Sequence, residues 1–122
     1  DRARLMADAG IVRNKAKIDA TIGNAAAWLA TGRAFGSVDA YFATMVPGPA
    51  APLSADVGPG GIPARTVASD ALSKDLRGRG FRFVGSTIVY ALMQSIGLVD
   101  DHVATCFRHG AASVSIRGSR DP

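Results

Sequence analysis

The stretch FRFVGSTIVYALMQSIG (81–97) decides whether this chain mixes strands with helices or is helical throughout. Phe81, Phe83 and the β-branched Thr87, Ile88 and Val89 have strand propensity, whereas the run from Ser86 to Ile96 has the length of a helix. The helical reading is the better supported. Ser86 is placed to cap the start, Gly97 to close the end, and the apolar residues lie all round, as in a buried helix.

Upstream, Ser69 with Asp70 is expected to cap a helix that Gly78 and Gly80 end. Before it, PGPAAPLSADVGPGGIPAR (47–65) holds five prolines and four glycines and reads as a loop with no repeat and no core-forming pattern. SVDAYFATMV (37–46) is a short helix with Ser37 as N-cap, stopped by Pro47. A longer helical period begins near Asn14 and runs through Ile18, Ile22, Ala25, Ala26 and Leu29 to Gly32. A short stripe of Leu5, Met6 and Ala9 precedes it and stops at Gly10. Downstream, in DDHVATC (100–106), Asp100 is expected to cap a last helix through Phe107, which sets His102 and Cys106 one turn apart on one side. The sequence thus predicts an all-α domain over 1–109 and a flexible tail over 110–122.

At 122 residues the chain has room for one core. Its longest apolar runs, such as TIVYALM (87–93), fall far short of the roughly 20 residues that cross a bilayer, and no charged-then-apolar leader opens it. A single cysteine makes no internal disulfide. These features point to a soluble, cytoplasmic monomer. The start at Asp1 rather than methionine leads us to expect an N-terminally truncated piece.

The net charge is +4, the pI is about 9.8, and there is no glutamate. This favours a polyanionic partner; the plain alternative is a basic solvated surface. The cations gather in two places: Arg2, Arg4, Arg13, Lys15, Lys17 and Arg33, and then Lys74, Arg77, Arg79 and Arg82.

The segment LMADAGIVRNKAK (5–17) has the form of a helix-hairpin-helix element. Gly10, Ile11 and Val12 supply the turn, with the apolar pair expected to dock it, and the helix starting near Asn14 offers free amides and its positive dipole end. A phosphate oxygen fits there, and Arg13, Lys15 and Lys17 would attract a duplex backbone without reading its bases. An ordinary pair of helices with an exposed basic rim remains the alternative, because the usual element carries a second glycine where this chain has Val12.

Together, DAGIVRNKAKIDATIGNA (8–25), AFGSVDAYFATMV (34–46) and ASDALSKDLRGRGFRFVGSTIVYALMQSIGLVDDHVATC (68–106) resemble the type I 3-methyladenine DNA glycosylases. The resemblance implies a helix-hairpin-helix DNA glycosylase fold, here truncated at the N-terminus, that cuts the N-glycosidic bond of 3-methyladenine in alkylated double-stranded DNA. The hairpin reading puts DNA contacts at Gly10, Ile11, Val12, Arg13 and Lys15, and the resemblance puts Tyr90 beneath the pocket, in a lining or a core role. It also implies a structural zinc, held by two pairs of Cys and His; His102 and Cys106 match the second pair. The first pair, the acidic residue that reads the flipped base and most of the sandwiching aromatics have no counterpart here. We therefore expect only a half-site for zinc, with binding weak or absent, and no activity from this chain alone. A non-enzymatic DNA-binding module is the competing reading. Asp19, shortly after the hairpin, is read as a surface charge rather than a catalytic acid. Trp28 and Tyr41 are read as core aromatics, and His109 as an exposed histidine before the tail.

Overall fold

The computed structural model describes residues 2–47 and 51–110. Five α-helices lie among the described residues: α1 (Arg2–Ala7), α2 (Lys15–Phe35), α3 (Val38–Met45), α4 (Val67–Gly78) and α5 (Ser86–Ser95). The regular structure is helical, joined by one 3-10 turn at Pro59–Gly61 and an isolated bridge between Pro52 and Asp100. The expected tail over 110–122 lies outside the described residues except for Gly110.

Helix boundaries follow local capping. Asn14 accepts the Lys17 amide at 3.1 Å to start α2, and Ser37 accepts the Ala40 amide at 2.9 Å to start α3, as expected. Gly32 does not stop α2. The helix runs on to Phe35 and ends at Gly36, whose φ of 84° supplies the left-handed residue that a helix terminus favours.

The start of α4 also differs from expectation. Thr66, not Ser69, is its N-cap, and Ser69 is the reciprocal partner in a capping box: its amide meets the Thr66 hydroxyl at 3.1 Å, and its hydroxyl receives the Thr66 amide at 2.8 Å. Ser86 is likewise no cap. Gly85 holds that position, and the Ser86 hydroxyl pairs instead with Ser69 Oγ at 2.8 Å, tying the start of α5 to α4.

Both helices of this pair end in the same way. At α4 the Phe81 amide donates to Leu76 O and Gly80 to Arg77 O, each at 3.0 Å; at α5 Leu98 donates to Met93 O at 2.8 Å and Gly97 to Gln94 O at 3.4 Å. Each is a Schellman closure around a left-handed glycine. The core lies against this pair: Leu72 and Leu76 of α4 and Val89, Tyr90 and Met93 of α5 pack with Phe81, with Tyr41 and Phe42 of α3, and with Ala27 of α2. Burial is not all round α5, since Ile88 is 60% exposed.

The buried face of α2 is Ile18, Ala20, Ala27 and Thr31, while Ile22 and Leu29 of the predicted stripe stand in solvent. An alanine-rich helix is apolar on several faces, so its neighbours rather than its periodicity choose which one is covered.

Candidate functional site

The hairpin between α1 and α2 projects from the body. Its turn is closed by Asp8, whose carboxylate accepts the Gly10 amide at 2.8 Å, and by Asn14, whose amide donates to Val12 O at 2.8 Å. Gly10 is not in a left-handed conformation; what a side chain would meet there is Asp8 Oδ1, 3.1 Å from an added Cβ. Ile11 and Val12 do not dock the turn. They are 41% and 88% exposed and take no part in the core.

Because Asn14 takes the Lys17 amide, the amides of Lys15 and Ala16 are the ones left without a partner among the described residues. Arg13 and Lys17 are exposed and form no ion pair there, whereas Lys15 reaches Asp19 at 3.5 Å. Arg2 also lies against the Asp19 carboxylate, pinning α1 to α2. Burial works against the Asp19 charge, but the Arg2 guanidinium and then Lys15 hold its carboxyl below the usual carboxylate range. Asp19 is thus a clasp for the hairpin. Its pairing with Arg2 had no local signal in the sequence.

The second candidate, at the far end of the chain, is built without the expected helix over 100–107. The main chain of Asp100 is occupied by the bridge to the 47–65 loop, with the Leu53 amide donating to Asp100 O at 2.9 Å. Its side chain receives the His102 amide at 3.3 Å, so it closes a turn instead of capping a helix. Successive turns over 104–110 still bring the Cys106 Sγ and His102 Nδ1 to 3.6 Å. Cys106 is a free thiol. His109 is engaged with its own neighbourhood, its Nδ1 2.6 Å from His102 O. No group of three or more His, Cys, Asp or Glu side chains suited to a metal occurs among the described residues.

Tyr90 sits in the core at 4% exposure, and its hydroxyl donates to Asp101, which also accepts Gln94 Nε2 at 2.8 Å. Burial, reinforced by the Asp101 carboxylate, pushes the Tyr90 hydroxyl well above the usual tyrosine value. This network anchors the residue next to His102. Tyr41 is fully buried, with its hydroxyl 2.8 Å from Asp75 and its ring under the Arg79 guanidinium. Trp28 is 45% exposed and meets Phe42 edge to face. It lines an open groove of about 340 Å³ with Thr21, Asn24, Phe42, Phe81 and Leu92. Tyr90 does not line this groove.

The family profile of methyladenine glycosylases matches residues 1–109. The chain belongs to the methyladenine glycosylase family. It is 47% identical over 109 residues to DNA-3-methyladenine glycosylase 1 of Escherichia coli K12, covering 87% of this chain and 56% of that protein. It is 40% identical over 102 residues to the DNA-3-methyladenine glycosylase of Haemophilus influenzae, covering 83% and 54%. Among solved structures, a crystal structure of 3-methyladenine DNA glycosylase I superposes with a TM-score of 0.77 at 45% identity, over 88% of this chain and 59% of that one. A single-site variant of a 3-methyladenine DNA glycosylase I, crystallised with 3-methyladenine, superposes with a TM-score of 0.81 at 28% identity, over 88% and 57%. This family member thus spans about half the length of the curated relatives it matches. No helix among its described residues is long and apolar enough to cross a membrane.

Proposed function

We propose that this chain grips alkylated double-stranded DNA through the 8–17 hairpin and serves a base-excision repair reaction, the hydrolysis that releases 3-methyladenine by cutting its N-glycosidic bond. The observation that carries this reading is kinship over residues 1–109 with glycosylases named for that substrate. The hairpin supports the DNA half of it. The free amides of Lys15 and Ala16 at the N-terminus of α2 receive a phosphate oxygen, Arg13 and Lys17 add long-range attraction, and Gly10, Ile11 and Val12 meet the backbone and sugars. Such contacts set register without reading sequence.

An N3-methylated adenine already carries positive charge and leaves readily, so the reaction depends mainly on extruding, stacking and hydrogen-bonding the damaged base. Within this chain three acids near the helical core are engaged by neighbours: Asp19 by Arg2, Asp75 by Arg79 and Tyr41, Asp101 by Tyr90 and Gln94. We expect residues 1–122 to bind duplex DNA in a salt-sensitive way and to release no free 3-methyladenine. Release should appear when the part of the Escherichia coli relative outside the matched region is supplied. Duplex binding indifferent to salt would overturn the reading, and failure of release even after that supplement would favour the non-enzymatic DNA-binding module.

A structural zinc is a second element of the proposal. Imidazole nitrogen at about 2.0 Å and thiolate at about 2.3 Å on a tetrahedral zinc lie about 3.5 Å apart; the 3.6 Å between His102 Nδ1 and Cys106 Sγ fits one such edge. With two protein donors of the usual four, this chain alone would hold zinc weakly. Elemental analysis should find well under one zinc per chain, and one tightly held ion would overturn that expectation. The free thiol of Cys106 is consistent with a cytoplasmic setting, and we propose action there as a monomer.

A further inference from the structure

Two helices turn uncharged surface to solvent. From Ala20 to Gly32 α2 carries no charged residue, and α5 carries none at all. A helix covered on one side ordinarily puts charges on the other, and one that is apolar all round is ordinarily buried. Yet Ile22, Ala25, Ala26 and Leu29, spaced along one side of α2, are all exposed, Leu29 by 61%. Ala25 also lines the groove beside Trp28, which joins this stripe to the groove wall. Across the groove stands Leu92 of α5, and one turn before it Ile88 is 60% exposed. The apolar surface therefore runs from α2 to α5, with no charged side chain lining the groove between them.

The polar side chains of the groove are already bonded within the chain. Asn24 pairs with both backbone groups of Arg82, donating to its carbonyl and accepting its amide, each at 2.9 Å, and the Thr21 hydroxyl donates to Lys17 O at 2.9 Å. The Asn24 bonds also fix the rim beside Phe83, whose φ of 57° is the one positive value among the described non-glycine residues. What the groove offers an occupant is apolar contact. That suits an apolar helix face better than a nucleic acid, whose phosphates need cations. The relatives indicate where such a helix comes from. The matched regions are 56% and 54% of the two curated relatives, so nearly half of each lies outside, and the solved neighbours superpose over 59% and 57% of theirs. Polypeptide that completes such a body has to bury apolar surface against the matched part.

We propose that the α2–α5 face is the docking surface for a helical polypeptide of the kind the relatives carry outside the matched region, that Trp28 is its central contact, and that docking needs no covalent link to residues 1–122. The proposal rests on the DNA-repair reading above and names the surface that the supplement of that reading occupies.

Trp28 is the single tryptophan of the 122-residue protein, so fluorotryptophan labels that position alone. The part of the Escherichia coli relative outside the matched region, made separately and without label, is titrated into the labelled protein and followed by fluorine NMR and light scattering. Thermal melting and salt-dependent duplex binding are measured on each variant by itself. A one-to-one complex with a shifted Trp28 resonance is expected. Leu29→Asp and Ile88→Asp should each raise its Kd about tenfold or more, because the contact would bury an unpaired carboxylate. Both should leave the melting temperature of the unbound protein and its duplex binding little changed, and Lys74→Ala should leave the Kd unchanged. No complex, or a complex indifferent to both aspartate substitutions, would overturn the docking face. A dimer of the 122-residue protein that Leu29→Asp dissolves would overturn it as well, by giving the face to a second copy. The hairpin's salt-sensitive duplex binding stands in each of these cases; its loss in the wild type would instead overturn the DNA-repair reading and leave the docking face in place.

Discussion

The α4–α5 unit and the α1–α2 hairpin are both helical pairs joined through glycine-containing turns, yet they meet solvent in opposite ways. In the first, each helix end is closed by its own backbone, and Ser69, Ser73 and Ser86 satisfy buried polar groups across the pair. In the second, α1 buries no residue, and the Arg2–Asp19 ion pair ties it to α2. Packing concentrates in the first, and unpaired amides and cations are found in the second.

The sharpest way to break this contrast is to remove a side chain from the packed pair. Leu72 is fully buried, and Leu72→Ala should lower the unfolding free energy by about 3 kcal/mol, read from the denaturant midpoint. A loss no larger than that of a surface change would mean the pair is not the centre of stability.

Tyr41 sharpens it next. Tyr41→Phe frees one acceptor site on Asp75 and should cost about 1.5 kcal/mol. Burial, and then the Asp75 carboxylate, push the Tyr41 hydroxyl up to about 12 from an ordinary 10.0. The folded state therefore keeps a proton that the unfolded chain releases, so this stability is intact below pH 10 and declines as pH rises towards 12. The variant should show a shallower decline over that window in pH-dependent denaturation.

Asp100 tests the seam between the packed half and the turn that holds His102 and Cys106. It is 1% exposed, and its Oδ2 has no hydrogen-bond partner. Asp100→Asn keeps the acceptor for the His102 amide but puts an amide donor without a partner in place of Oδ2, and should lower stability by about 1 kcal/mol. A variant of unchanged stability would show that the site offers that amide an acceptor.

The smallest effects on stability belong to the hairpin, where they should be large on binding. Arg13→Ala should change stability by less than about 0.5 kcal/mol and reduce the salt slope of duplex binding by about one. Gly10→Val, whose Cβ crowds Asp8 and disturbs the turn, should weaken binding more than Arg33→Ala at the far end of α2. Equal losses would point to diffuse charge rather than a shaped site.

Much of this was readable from local chemistry. Asn14, Ser37 and Pro47 mark helix boundaries because a cap or a missing amide acts within one turn. Most of the readings that failed depended on partners distant in sequence, although the α4 cap was missed for a nearer residue, Thr66. Ser69 and Ser86 look like caps until their hydroxyls are found facing each other, and Asp100 looks like a cap until the 47–65 loop takes its main chain. Ile22 and Leu29 look like core until α2 buries its other face. Asn24 carries no signal at all for a contact 58 residues away.

By itself the sequence determined an all-helical chain, the place of the hairpin, the cationic character of two segments and kinship with a family of glycosylases, because propensity, capping and charge are local properties. Only the tertiary structure decided which face of α2 is covered, how His102 and Cys106 meet without a helix, and that Phe83 is held in a strained conformation. These depend on which distant polar groups find each other once the core has closed, and a buried donor or acceptor is satisfied wherever the fold brings its partner.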